Sequence, residues 1–176
     1  MTAEDLLSLV DPFTANNLTV WLDGGWAVDA ALGDQTRTHD DLDVVVDLRE
    51  ADALRSVLES RDFVVATGCI PTSFEMVDEE GRQVDVHPIR FTATGDGLYR
   101  MESGADWAYP AAGLGWKGTV GGRNVRCLAP EVQMLCHTGY EPHVSSYDDV
   151  WALSRRFGIA VPAEYMRPRA SYPVRS

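Results

Sequence analysis

The sequence predicts an α/β fold of the α+β kind: a mixed β-sheet flanked by helices, with a small helical C-terminal part. Three observations predict it. Strand-like and helix-like patterns alternate in the first third of the chain, strand-like runs then cluster, and two helical patterns come last. The hydrophobic share is 45% over 176 residues, enough for one domain with its own core. No internal repeat and no low-complexity block interrupts it.

Glu4 to Val10 reads as a short helix ended by Asp11-Pro12. Thr19-Val20-Trp21-Leu22 is β-branched and aromatic, so a strand, and it stops at Gly24-Gly25. Trp26, Ala27, Ala30, Ala31 and Leu32 fall at helical spacing, and Gly33 closes that helix. A loop rich in Asp and Thr leads to a strand over Leu42 to Val46, then a helix over Ala51 to Leu58. Phe63 to Val65 is a strand. Thr72 to Val77 and Gln83 to Ile89 pair as a hairpin around Asp78-Glu79-Glu80-Gly81. Gly118 to Arg126 forms a second hairpin turning at Gly121-Gly122. Helices over Pro130 to His137 and Ser146 to Phe157 follow, and Pro162 onward reads as a tail, loosest over residues 167–176 with their two prolines and three arginines. The expected division is a core over 1–128, a helical part over 129–160 packed on it, and a tail over 161–176, within one structural domain.

The formal net charge is −12. A nucleic-acid partner needs a basic stripe to replace phosphate counterions, so nucleic acid and anionic membrane surfaces are both disfavoured. An acidic chain attracts metal ions or amine-bearing small molecules; surface acidity serving solubility alone is the other reading. Three cysteines, Cys69, Cys127 and Cys136, form no CxxC pair and suit free thiols in a reducing compartment. No signal peptide and no membrane-length apolar run is visible, so a cytoplasmic location is expected.

Four features carry chemistry. Gly24-Gly25 lies between a strand and a helix, where glycine lets the backbone approach a ligand and the helix N-terminus favours phosphate; a plain tight turn is the alternative. Arg37 and His39 sit in the following loop, where Arg37 can grip a phosphate and His39 can orient a carboxylate or the nucleotide. Asp41-Leu42-Asp43 opens an apolar strand, and side chains at i and i+2 share a face, so both carboxylates aim at one point. Like charges so placed repel unless a cation lies between them, and oxygen-only ligands suit Mg²⁺. Asp85 interrupts the run Val84 to Val86, a costly place for a lone carboxylate unless it joins Asp41 and Asp43 around metal. Three carboxylates on neighbouring strands can hold two metal ions roughly 3.5–4 Å apart, with Asp85 the candidate general base.

These residues resemble a known family. Gly24-Gly25-Trp26-Ala27-Val28-Asp29, then Arg37, His39, Asp41 and Asp43, then Asp85, match the antibiotic nucleotidyltransferases of the polymerase-β-like superfamily. Within it, Trp21 to Trp26, the segment Val84-Asp85-Val86-His87-Pro88-Ile89, Cys127, Glu131 and Leu135, the run His137-Thr138-Gly139-Tyr140, and Asp148-Asp149 are similar to the lincosamide branch. The resemblance covers about residues 18 to 158. It implies a polymerase-β-like nucleotidyltransferase fold, ATP as co-substrate, Mg²⁺ (two ions), and transfer of AMP to an antibiotic hydroxyl with release of pyrophosphate. It carries over Asp41, Asp43 and Asp85 as catalytic and metal-binding residues, and Gly24, Gly25, Arg37 and His39 as nucleotide-binding ones. Lys117 and Arg123 are further candidates for the triphosphate.

On the acceptor side the candidates are Glu75, His87, His137 and Tyr140. His87 shares a strand face with Asp85 and can meet an acceptor hydroxyl; Glu75 can meet an amine; each also reads as an ordinary strand residue. His137 and Tyr140 end a helix, where a histidine also suits the helix dipole. Trp107, Tyr109 and Trp116 form either an apolar wall or core. The segment from Gly95 to Gly118 shows little further pattern and is expected to shape the acceptor pocket. The expected acceptor is a cationic small-molecule antibiotic, and a homodimer that shares the pocket is expected, because one small domain offers few walls around a drug-sized acceptor. Two other readings stay open: an aminoglycoside 2″-adenylyltransferase, and a non-catalytic partner protein of the same fold.

Overall fold

The computed structural model describes residues 1–166. The chain begins with α1, Ala3–Ala15, capped by reciprocal bonds between Thr2 and Asp5. Its apolar residues Leu6, Leu9 and Phe13 fall on one face and are fully buried. The helix runs through Pro12, where the sequence predicts a stop. Pro12 forgoes one backbone donor, but Phe13 in the next position is sealed in the core, and its burial stabilises the extra turn by about 1.5–3 kcal/mol.

The remaining elements are β1 (Val20–Leu22), α2 (Gly24–Leu32), β2 (Asp41–Asp47), α3 (Ala51–Glu59), β3 (Val64–Gly68), β4 (Phe74–Val77), β5 (Gln83–Phe91), β6 (Gly97–Arg100), β7 (Asp106–Tyr109), β8 (Lys117–Val120), β9 (Arg123–Arg126), α4 (Pro130–Cys136) and α5 (Val144–Phe157). Gly24 and Gly25 belong to the first turn of α2, one step later than the loop predicted for them. The hairpin β6–β7 fills the stretch that showed no pattern. Its strands are only four residues long, too short for alternation to declare itself. The expected tail begins ordered: Ala163–Met166 winds a 3₁₀ turn, Tyr165 is buried, and its hydroxyl donates to the His137 carbonyl at 2.8 Å. The loosest predicted part, 167–176, lies outside the described residues.

The main sheet is seven-stranded, in the order β1-β2-β5-β4-β3, with β6 joining β5 and β7 joining β6. The central pair β2–β5 is parallel and the other pairings are antiparallel. The period of two then sorts the residues. Leu42, Val44 and Val46 of β2, Val84 and Val86 of β5, and Phe74 and Met76 of β4 enter one cluster with Leu6, Leu9 and Phe13 of α1 and Leu54 and Leu58 of α3. On the opposite face Val45 and Ile89 join Trp21, Tyr109, Leu114, Leu128 and Val132. That same face turns polar toward the beginning of β2 and β5, with Asp41, Asp43, Gln83 and Asp85. A third cluster, Val28, Met134, Tyr147, Val150, Leu153 and Tyr165, fastens α2, α4 and α5 together beside this polar end.

Candidate active site

Parallel pairing of β2 with β5 sets Asp43 against Asp85, and antiparallel pairing of β4 with β5 sets Glu75 against Asp85. Glu75, Asp85 and Asp43 therefore stand abreast on three strands, on the face away from α1 and α3, with Asp41 beside Asp43 across from Gln83. His87, two residues along β5, places Nε2 3.7 Å from Asp43 Oδ1 and 3.7 Å from Asp85 Oδ2, too far to bond either. That buried nitrogen has no hydrogen-bond partner among the described residues. Ligand atoms of Asp43, Asp85 and His87 all lie within 4.8 Å of one another. Burial pushes the Asp43 carboxyl above its usual range, beyond what His87 restores, with Asp41 and Asp23 adding to the rise. Burial opposes charge on His87 too, but Asp43 and Asp85 outweigh it and hold the imidazole well above the ordinary histidine range. The Tyr99 ring flanks His87 at 5.3 Å.

The start of α2 closes the site from beside β2. Asp23 caps the helix, its Oδ1 accepting from the Gly24 amide at 2.7 Å and its Oδ2 from the Tyr109 hydroxyl at 3.1 Å. Gly24 takes φ +58°, and a side chain there would run into the Asp43 carboxylate, with Cγ at 2.9 Å. A side chain on Gly25 would strike Arg37 Nη2 and, at 2.5 Å, His39 Nδ1. The two glycines thus admit the site's own side chains as well as leaving the backbone open to a ligand.

Arg37 is held from the far end of the chain. Its Nε donates to Asp149 Oδ1 at 3.0 Å, its Nη2 to Asp149 Oδ2 at 2.8 Å, and its Nη1 to the Thr38 carbonyl at 3.1 Å. Asp149, on α5, is only 3% exposed. His137 Nε2 lies 3.6 Å from the same Oδ2, while its Nδ1 pairs with the Gln133 carbonyl at 2.9 Å. Burial raises the Asp149 carboxyl, but His137 and Arg37 overcome that and hold it below its usual range. Removing Arg37 would leave the buried Asp149 carboxylate to His137 alone, a destabilising change.

A cavity of about 670 Å³ opens between these parts. One wall carries Asp23, Gly24, Gly25, Arg37, Asp41, Asp43 and His87; the other carries Tyr99, Met101, Trp107 and Tyr109; the α4–α5 side adds Gln133, Cys136, His137, Tyr140, Ser145, Ser146 and Asp149. Of the predicted residues, Gly24, Gly25, Arg37, Asp41, Asp43, His87, His137 and Tyr140 meet at this cavity. Asp85 and Glu75 stand next to it in the carboxylate row. His39 does not reach it: the ring is 2% exposed, its Nε2 pairs with Asp29 Oδ2, and it packs on Trp26 at 4.5 Å. His39 therefore anchors the Arg37 loop to α2. Lys117 and Arg123 also lie off the cavity lining, and Arg123 pairs with Asp11 at 2.6 and 2.8 Å. Trp116 packs edge-on against Phe157 at 6.3 Å instead of joining the wall. Two further carboxylates at the site, Asp23 and Asp149, have no role assigned by the sequence. Asp23 had a readable signal, an Asp directly before a helical run. Asp149 lies in the Asp148-Asp149 run that resembles the lincosamide branch, but nothing local gives it a role, since its partner Arg37 lies 112 residues away.

Comparison with known proteins matches residues 5–153 to the family described as Aminoglycoside-2''-adenylyltransferase. A "Lincosamide resistance protein" of Staphylococcus haemolyticus is 27% identical over 150 residues, covering 85% of this chain and 92% of that one. A "2''-aminoglycoside nucleotidyltransferase" of Escherichia coli is 29% identical over 133 residues, covering 75% of this chain and 70% of that one. Among solved structures, lincomycin-bound lincosamide antibiotic adenylyltransferase LnuA superposes with a TM-score of 0.77 at 27% identity, covering 88% of this chain and 97% of that one. ANT(2")-Ia in complex with adenylyl-2"-tobramycin shares the fold, with a TM-score of 0.62 at 20% identity, over 93% of this chain and 83% of that one. Among the described residues no helix is long and apolar enough to cross a membrane.

Proposed function

This chain belongs to the aminoglycoside-2''-adenylyltransferase family, and from that premise we propose that it is a metal-dependent adenylyltransferase that moves AMP from ATP to a hydroxyl of a lincosamide antibiotic. The observation that carries the reading is the register of β2 against β5, which puts Asp43 beside Asp85 at the edge of a cavity of about 670 Å³. The carboxylates suit a hard divalent cation: Asp43 and Asp85 bring ligand oxygens within 4.8 Å of one another, and Asp41 shares their strand face. Asp41, Asp43 and Asp85 would hold it, as Mg²⁺ in two sites. When bound, the metal neutralises the triphosphate and polarises the transferred phosphoryl group.

The chain's own residues do the rest. The N-terminal turn of α2, bare at Gly24 and Gly25, and Arg37 face the phosphates. The acceptor lies against Tyr99, Met101, Trp107 and Tyr109, a wall suited to the apolar rings of a lincosamide, with its amine toward the carboxylates. Its hydroxyl oxygen bonds to the α-phosphorus, the bond from that phosphorus to the bridging oxygen breaks, pyrophosphate leaves, and the hydroxyl proton passes to Asp85. The lincosamide branch is favoured because that relative is matched over 92% of its length, against 70% for the aminoglycoside one. A core over 1–128 carrying the nucleotide and a helical part over 129–160 carrying part of the acceptor wall suits this division of labour. The net charge of −12 speaks against a nucleic-acid acceptor.

Incubation with ATP, Mg²⁺ and lincomycin or clindamycin should give a drug–AMP adduct by mass spectrometry. Adducts with aminoglycosides alone would move the acceptor assignment and keep the chemistry. No adduct with either class would sink the reading.

A further inference from the structure

Arg37 is the only lysine or arginine among the described residues that line the cavity, yet both edges of its fork are already engaged by protein. We propose that Asp149 is a positioning residue for Arg37: it locks the guanidinium against the first turn of α2 so that the unspent N–H groups face the nucleotide's phosphates, with His137 as its second partner. This rests on the adenylyltransferase reading above.

A guanidinium carries five N–H groups. Two go to the Asp149 oxygens and one to the Thr38 carbonyl, leaving two without an acceptor among the described residues. The Arg37 side chain is 27% exposed, so these remain within reach of a ligand. Its Nη2 fills the space that a side chain on Gly25 would need, which sets the fork beside the N-terminus of α2, where backbone N–H groups also favour an anion.

The rival possibility is that Asp149 competes with phosphate and must let go. The energetics decide against it. Asp149 is 3% exposed, and without Arg37 its remaining charged partner among the described residues is His137 Nε2 at 3.6 Å. Letting go would give up two direct hydrogen bonds, at 2.8 and 3.0 Å, to a buried carboxylate, while the remaining N–H groups of Arg37 can meet phosphate without breaking them. The pair therefore stays closed when nucleotide arrives. Arg37 then recognises phosphate by hydrogen-bond geometry, its charge being largely spent on Asp149. The clamp also joins the loop before β2 to α4 and α5, whose residues line the acceptor side, so the two halves of the cavity share one fixed point.

The test is a cycle of Arg37→Gln, Asp149→Asn and the double variant. It reads steady-state KM for ATP, kcat, and calorimetric affinity for a non-hydrolysable ATP analogue with Mg²⁺. Asp149→Asn should weaken nucleotide about tenfold, the size of one charge-assisted hydrogen bond, with kcat within about threefold. The double variant should bind nucleotide no more weakly than Arg37→Gln alone, because Asp149 acts through Arg37. A merely structural residue would give multiplying losses instead. His137→Gln should weaken binding less, about threefold. If Asp149→Asn does not fold, the double variant, which removes both charges together, still compares with Arg37→Gln, and a tenfold gap between them overturns the proposal. A folded Asp149→Asn with unchanged or tightened nucleotide binding also overturns it. Failure of the unaltered protein to bind the analogue or to transfer AMP overturns the adenylyltransferase reading and this proposal together.

Discussion

Leu42, Val44 and Val46 leave β2 on one side and Asp41 and Asp43 on the other; on β5, Val84 and Val86 oppose Asp85 and His87. The first set is buried to 0% exposure in a cluster with α1 and α3. The second crowds three carboxylates at the edge of a cavity, where burial lifts the Asp43 carboxyl, His87 offsets the rise only in part, and Asp41 and Asp23 add to it. Residues one step apart on the same backbone thus serve opposite ends. The apolar face contributes stability, and the acidic face costs stability while the metal is absent.

That contrast can be broken by substitution. The largest effect is expected on the acidic face: Asp43→Asn should lower turnover on the order of 10³-fold, the equivalent of the several kcal/mol of charge stabilisation a metal supplies. Its thermal midpoint without metal should equal or exceed that of the unaltered protein. A variant that loses stability and keeps its rate would reverse the comparison. Leu42→Ala, on the other face, should cost about 2–5 kcal/mol in denaturant unfolding, with kcat of the folded fraction nearly unchanged. Next comes Gly25→Ala, whose methyl would strike Arg37 Nη2 and His39 Nδ1. It should raise KM for ATP about tenfold while KM for the drug moves little, a split that steady-state kinetics measures directly.

The smallest expected effect is the pH dependence of the clamp. Asp149 sits below the usual 3.8 because His137 and Arg37 outweigh its burial. A depressed carboxyl stabilises the fold above pH 3.8, and that stability is lost as pH falls through the folded-state value. Unfolding of the unaltered protein should therefore steepen below pH 3.8. Asp149→Asn should flatten this limb, and an unchanged acid limb would show that the pair contributes nothing to it.

The two faces were also unequally legible. The apolar face and the acid pair follow from a period of two over Asp41 to Val46, and Asp85 stands out because it breaks a β-branched run. The strand partnership of Asp43 with Asp85 and Glu75 is a long-range pairing that no local pattern specifies. His39 reads as a site residue beside Arg37 and Asp41, but its role depends on Asp29 and Trp26 one helix earlier. Pro12 reads as a stop, yet burial of Phe13 outweighs the lost donor. The aromatic wall hides because β6 and β7 are four residues each and gain their order from pairing with β5 and with each other.

The register of β5 between β2 and β4 has a consequence for how an active molecule comes to exist. A slip of one residue would turn Asp85 inward among Phe74, Met76 and Leu42 and turn Val84 out toward the cavity. A one-residue slip therefore cannot keep the hydrophobic cluster while moving the carboxylate off the site. Against that slip, core closure and site assembly are one event, so specific activity counts chains paired on the correct face. In refolding from denaturant, recovered turnover should rise in step with recovered compactness, with no population that is well packed and inert.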